Sequence, residues 1–432
     1  MTPLQVGILG CAILIVLLFT SMPVAFALIA AGLAGFSLIV SPSAALSMVV
    51  ADLYDTFSSY SLTVIPLFVF MGQVAFHAGI SKRLFKTAYA WIGHLPGGLA
   101  MATIGACAGF GAICGSGPAT AATMASVALP EMRRYGYANE LSGGTVASGG
   151  GLGMLIPPSV VFIVYALMTE QSIGDLFLAG IVPGILIALL FCVSIYVRCS
   201  INKKLGPPGP RMSWSARFKS LGNVIETVIL FVLVIGGMFI GLFTPIEAAA
   251  IGAAGSLIVA AVKRQLNIPM LKKILYETIR TSSMVFFIVA AAVVFGRFLA
   301  VSQIPFTLAT WFTNLPLPGW AIMFLIVLFF LVAGCFIDAL ALILLTIPIF
   351  YPVVINLGFN PIWFGVMVVV ITQMGVITPP VGVNVYVVSG IERDISLQSI
   401  FKGALPFLLM LVLAAVILVF LPELALFLPE AT

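Results

Sequence analysis

Slid against itself by 222 positions, the chain brings its turn-forming residues into register. Pro23 meets Pro245, and Leu53–Thr56 (LYDT) meets Leu275–Thr278 (LYET). Pro96-Gly97 meets Pro318-Gly319, Pro130 meets Pro352, and Gly136 meets Gly358. Gly143 meets Gly365, Gly153 meets Gly375, and Pro157-Pro158 meets Pro379-Pro380. Single coincidences come easily in a chain with 41 glycines and 26 prolines, but so many in one order at one shift do not. A fixed period marks a duplicated architecture. The chain therefore divides into a first repeat, residues 1–200, a linker, 201–220, and a second repeat, 221–432, whose matching part ends near 424.

What each repeat can be follows from how little charge it carries. The chain is 62% hydrophobic and 8% charged, with mean hydropathy +1.23, whereas a soluble domain is roughly 25% charged. So much apolar surface has to face lipid, and the fold class expected is an all-α polytopic membrane protein. The first apolar run, Val6–Thr20, lacks a basic leader and a small-residue cleavage site, so it reads as a retained span. A net charge of +5 built from few groups fits membrane topology better than nucleic-acid binding. Six cysteines without a C-x-x-C pair and two histidines leave little material for a disulfide framework, a metal centre or a catalytic triad. No G-x-x-x-x-G-K-[ST] motif is present, so no ATPase is expected in the chain.

Matching stretches of the two repeats carry opposite charge patterns. Residues 81–97 hold Lys82, Arg83 and Lys86, and 131–140 hold Arg133 and Arg134, while their mates 303–319 and 353–362 hold no charge. Residues 40–58 hold only Asp52 and Asp55, while 262–280 hold Lys263, Arg264, Lys272, Lys273 and Arg280. The linker is basic and its mate, the C-terminal tail, carries Glu423 and Glu430. By the positive-inside rule the linker is cytoplasmic and equivalent loops lie on opposite sides, which makes the repeats inverted. Each repeat offers two opening spans (5–20, 23–40; 222–242, 245–262) and a third span (62–80; 283–301). A Gly-rich re-entrant hairpin (98–130; 320–352), a broken span (139–168; 361–390) and a closing span (178–198; 403–421) follow. A hairpin does not change sides, so each repeat crosses five times, an odd number as inversion requires, and both termini fall outside.

The breaks carry the chemistry. Unpaired backbone inside hydrocarbon costs several kcal/mol per group, so irregular chain survives there only where it lines a cavity. The hairpin tips read CGSGPATAAT (Cys114–Thr123) and CFIDALALILLT (Cys335–Thr346), with Asp338 opposite Ser116; the broken spans read GGGLGMLIPPSVV (Gly149–Val161) and QMGVITPPVGVNV (Gln373–Val385). A half-helix start suits an anion, and unwound carbonyls with hydroxyls or carboxylates suit sodium. One sodium site is expected at Ser116 and Gly117 with carbonyls of Gly151, Gly153 and Ile156. The other is expected at Asp338 with Gln373, Gly375 and Thr378. Substrate ligands are sought among Ser116, Pro158, Ser159, Thr244 and Asn384. No cofactor is expected beyond Na+ as coupling ion.

Plainer roles stand beside each of these. The Gly run serves close helix packing equally well. An intramembrane carboxylate such as Asp338 is functional by default, yet it can make a structural hydrogen bond. Ser159 and Asn384 can donate to substrate or cap the second half-helix. Thr244–Glu247 (TPIE) has capping-box spacing with Pro at the first helical position, and Thr244 lining the cleft is the alternative. Arg297 lies within a span, where snorkelling, an ion pair or a substrate carboxylate would each satisfy it.

The motifs IPLFVFMG, HLPGGLA, GAICGSGPATAAT, LPEMRRYGY, GMLIPPS, FTPIEAAAIG and VITPPVGVN together resemble the large membrane subunit of TRAP transporters (tripartite ATP-independent periplasmic transporters, of the DctM or SiaM type), over essentially the whole chain. That resemblance implies a sodium-driven importer in the bacterial inner membrane, built on the ion-transporter superfamily plan and working as an elevator. Hairpins and broken spans would form the transport domain and the remaining spans the scaffold. It implies a small membrane subunit, here expected as a separate chain, and a periplasmic binding protein delivering an organic acid of the sialic acid or C4-dicarboxylate class. A stand-alone sodium- or proton-coupled dicarboxylate carrier is the rival reading. An enzyme is not expected, because the bilayer segments hold neither a nucleophile–base pair nor a carboxylate cluster.

Overall fold

The computed structural model of the chain describes residues 1–20 and 22–431, which form helices joined by short turns, with no strand among the described residues. Six helices are long and apolar enough to cross a membrane, and eight spans result if each bent helix pair is one. Helix boundaries recur at the repeat offset. Pro3–Phe19 and Val24–Ile39 match Ile225–Phe239 and Pro245–Val262. Gly98–Cys114 and Gly117–Arg134, the first hairpin, match Gly319–Gly334 and Ala339–Asn356, the second. Asn139–Leu155 and Val160–Thr169, the first broken span, match Pro361–Gly375 and Val383–Ile391. The closing helices are Ile173–Ile201 and Leu397–Phe420.

One region departs from the pattern. In the first half Pro42–Ser58 and Val64–His77 are separate helices, joined through Ser59 and the tight turn Tyr60–Thr63, whereas the second half runs unbroken through the 35-residue helix Ile268–Ser302. Pro66 explains the difference. Its ring clashes with the carbonyl four residues back and it lacks an amide, while its mate at the repeat offset is Ile288.

Several stretches read as loops are helical. Besides Pro42–Ser58 they are Ile80–Ile92, Ile304–Thr313 and the linker helix Trp214–Leu221, which Ser213 caps by accepting from the Ala216 amide. Ile80–Ile92 is amphipathic: Ile80, Phe85 and Ala90 are buried, while Lys82 and Lys86 are exposed. A helix of this kind lies flat at a membrane surface, so charge in a segment marks its side of the membrane without marking it as coil.

The ion pairs give a check on sidedness that is independent of charge counting. His77 pairs with Glu277, Lys273 lies beside Glu277, Lys263 pairs with Glu226, and Arg133 bridges Glu392 and Asp394. All of these residues fall on the side assigned to the cytoplasm. Arg297 pairs with Asp52, and both lie toward the opposite side. Each pair would be impossible if the inverted assignment of either partner were reversed.

The first two helices seat on Ile268–Ser302 through glycines. A β-carbon at Gly10 or Gly35 would come within 2.5 or 2.2 Å of the Phe298 ring, so the missing side chains are what admit it. The two broken spans are cross-tied. The Asn384 side-chain amide donates to the Ala147 carbonyl (3.0 Å) and the Tyr165 hydroxyl donates to the Pro361 carbonyl (2.7 Å). The Gln171 amide donates to the Tyr351 hydroxyl (3.0 Å), so each tie joins one half of the chain to the other.

Candidate functional site

Both hairpins place the start of their second helix in one cavity of about 380 Å³. The first tip contributes Cys114 to Ala119, and the second contributes Asp338, Ala339 and Leu340. The broken spans add Met154, Val160, Val376 and Val383, and Ile268–Ser302 closes one wall with Thr281 and Met284. No lysine or arginine is among the described residues that line the cavity, and Asp338 is the one ionisable carboxylate there.

Ser116 and Asp338 occupy the same N-cap position of equivalent helices, with opposite results. The Asp338 carboxylate accepts from the Leu340 (2.9 Å) and Ala341 (3.3 Å) amides and so fills its own helix start. Ser116 makes no side-chain capping bond, so the amide dipoles at Gly117 and Ala119 remain directed at the cavity. A helix start without its own cap attracts an anion, and one bearing a carboxylate repels it and attracts a cation. The cavity thus has an anion-accepting wall and a cation-accepting wall, related by the repeat.

Each tip is fastened to the break in its own half. The Val160 amide donates to the Gly115 carbonyl (3.2 Å), and the Val381 amide donates to the Cys335 carbonyl (3.2 Å). Gly115 has φ +66°, and a β-carbon there would lie 2.5 Å from the Pro158 carbonyl oxygen. Only glycine meets both demands.

The breaks themselves differ from expectation. The run Gly149–Gly153 is not unwound: it lies inside the regular helix Asn139–Leu155, and the backbone leaves the helix only over residues 156–159. The glycines instead allow close crossings. A β-carbon at Gly150 would meet Ala121 at 2.6 Å, and one at Gly111 would meet the Gly153 Cα at 2.7 Å. Gly334 and Gly375 make the equivalent crossing in the second half. The Pro-Pro pairs also do not open the second half-helices; they sit within the breaks, and those helices start at Val160 and Val383.

The expected site residues separate into three groups. Ser116, Gly117 and Asp338 line the cavity. Gly151, Gly153, Ile156, Pro158, Ser159, Gln373, Gly375, Thr378 and Asn384 lie behind it, in or beside the breaks. Ser159 caps its helix by accepting from the Phe162 amide, and the Thr378 hydroxyl donates to the Met374 carbonyl (2.6 Å). Gln373 packs against Gly151 with both amide atoms buried and unpartnered among the described residues, as are Asn384 Oδ1 and Ser148 Oγ. Buried oxygens of this kind call for a partner, and they are donors a cation could use. Thr244 stands apart: it is exposed and forms a complete capping box with Glu247. Thr244→Ala should therefore cost about 1 kcal/mol of stability and leave transport within twofold of wild type, read by thermal unfolding and uptake; the reverse pattern would put Thr244 in the cleft. Gln73 and Thr281 also line the cavity. Neither stands out in the sequence, although Gln73 is a lone amide in an apolar span.

Among solved structures, the YdaH transporter of Alcanivorax borkumensis is similar, with a TM-score of 0.63 at 16% identity over 88% of this chain and 90% of that one. At this identity the likeness concerns the fold. Residues 11–424 match the family described as "Tripartite ATP-independent periplasmic transporter, DctM component". The C4-dicarboxylate TRAP transporter large permease protein DctM of Pseudomonas aeruginosa is 39% identical over 91% of both chains. The sialic acid TRAP transporter large permease protein SiaM of Vibrio cholerae is 35% identical over 96% of both. An all-helical polytopic chain with a cavity between paired helix breaks, similar in sequence to these permeases from end to end, is a transporter subunit and not an enzyme: it belongs to the DctM family of TRAP transporter large permeases.

Proposed function

We propose that this permease imports a small organic acid driven by sodium, with the acid at the Ser116 tip and a sodium ion at the Asp338 tip. The observation that carries this reading is the pairing of an uncapped helix start with a carboxylate-capped one across a single cavity. The acid's carboxylate neutralises the open dipole, and the cation neutralises Asp338. Each makes the other's binding more favourable, because the two charges partly cancel in a low-dielectric site. A cavity of 380 Å³ lies near the lower end of the range for small-molecule sites, which favours a C4-dicarboxylate over a nine-carbon sialic acid. The buried oxygens of Gln373 and Asn384 are candidates for further cation contacts.

By analogy with the permeases it matches, the chain works in the bacterial inner membrane with a small membrane subunit and a periplasmic binding protein that delivers the acid. Hairpins and broken spans move as an elevator against the scaffold. Proteoliposomes holding all three components should take up succinate only with an inward sodium gradient, and sialic acid more slowly. Uptake indifferent to sodium would sink the coupling, and uptake by the permease alone would favour the stand-alone carrier.

A further inference from the structure

A second cavity, of about 580 Å³, lies far in sequence from the breaks, at the side assigned to the cytoplasm. Three elements enclose it: the amphipathic helix Ile80–Ile92, the base of the first hairpin and the linker helix Trp214–Leu221. The linker helix is held there by specific contacts. The Thr87 hydroxyl donates to the Ser220 carbonyl (2.9 Å), and Trp91 meets Trp214 and Phe218 edge-on, at 6.4 and 5.7 Å between ring centroids. Trp214 and Phe218 remain 65% and 61% exposed. Indole and phenyl rings left exposed on a basic helix belong at the headgroup level of a bilayer, so the cavity opens where phospholipid headgroups lie.

The lining is mixed in a particular way. Lys82 and Lys86, one helical turn apart, face Glu131 on the hairpin, and Tyr89 and Tyr135 stack at 5.8 Å beside them. Phe85, Val127 and Pro130 make the rest largely apolar. Two ammonium groups alone would fit any anionic headgroup. The carboxylate changes the selection: it repels a purely anionic ligand and attracts a second, positive group on the same molecule. The tyrosine faces add cation–π attraction for an ammonium.

We propose that this cavity binds a phospholipid carrying a phosphoethanolamine headgroup. The phosphate lies on Lys82 and Lys86, the primary ammonium between Glu131 and the tyrosine pair, and acyl chain against the apolar lining. The ligand then bridges the Ile80–Ile92 helix, the linker and the hairpin, which makes lipid composition a variable in how this permease behaves.

Native mass spectrometry of the permease released from nanodiscs of equal phosphatidylethanolamine and phosphatidylglycerol tests this. Wild type should retain phosphatidylethanolamine preferentially. A Lys82→Ala, Lys86→Ala double variant should lower that adduct roughly tenfold, in line with the contribution of basic groups near a lipid surface. Glu131→Gln should keep lipid binding but lose the preference over phosphatidylglycerol. Lys82 and Lys86 are exposed, so their removal should leave the unfolding temperature in detergent unchanged, and Lys→Gln versions check this. Equal retention of the two lipids by wild type, an adduct insensitive to the lysine pair, or displacement of the lipid by soluble phosphoethanolamine at micromolar concentration would each overturn the proposal.

Discussion

Asp338→Asn should reduce sodium-driven uptake at least about a hundredfold while leaving the protein folded. Asparagine is as good an N-cap as aspartate, and its side-chain oxygen can still accept from the Leu340 and Ala341 amides. The helix start is therefore kept, and what disappears is the negative charge. A cation held by charged contacts loses roughly 1.5–3 kcal/mol for each one removed, and about 1.4 kcal/mol is a factor of ten. Two such contacts account for the hundredfold. Sodium titration of uptake is the measurement that separates binding from folding: the half-saturating concentration should move up sharply, while the unfolding temperature stays within a few degrees. A variant with wild-type uptake and unchanged sodium dependence would remove Asp338 from the coupling site and leave it a helix cap.

The second large effect comes from a residue with no polar atoms to offer. Gly375→Ala should abolish uptake and strongly lower the yield of folded protein, because the added β-carbon would lie 2.4 Å from the Gly334 carbonyl carbon and 2.5 Å from its oxygen. The obstruction is backbone, so no rotamer change relieves it; the second hairpin and broken span have to separate. Overpacking of a well-packed contact typically costs 1–3 kcal/mol and more where backbone has to move. Gly296→Ala, on a helix where nothing lies within 4 Å of the new atom, is the control and should fold and transport as wild type. Equal behaviour of the two variants, read by size-exclusion profile and unfolding temperature, would show that the crossing does not hold the tip.

How much of this was visible in the sequence depends on what kind of information each feature carries. The duplication, the all-helical membrane class and the positions of both hairpin tips rest on turn residues and hydropathy, which are local. Ser116 and Asp338 could be found because a polar residue beside a helix break has few neighbours that could make it ordinary. The Gly149–Gly153 run misleads because glycine has two uses in a membrane, bending and close approach. Which applies depends on Cys107, Gly111 and Ala121, all distant in sequence. Gln73 and Thr281 join the cavity only through the tertiary packing of Val64–His77 and Ile268–Ser302, for which periodicity gives no sign. The helices at Pro42–Ser58 and Ile80–Ile92 were obscured by their charges, since a surface helix and a polar loop share a composition.

The cross-ties between the broken spans have a consequence for energy conversion. Asn384 to Ala147, Tyr165 to Pro361 and Gln171 to Tyr351 bind each half's ion-facing machinery to the other's. A displacement that carries the carboxylate-bearing tip therefore carries the uncapped tip with it. A permease whose two tips could travel separately would let sodium run down its gradient without cargo, or let cargo escape without sodium. Mechanical union of the two halves closes both routes of slippage, and the work of the gradient is delivered to the acid.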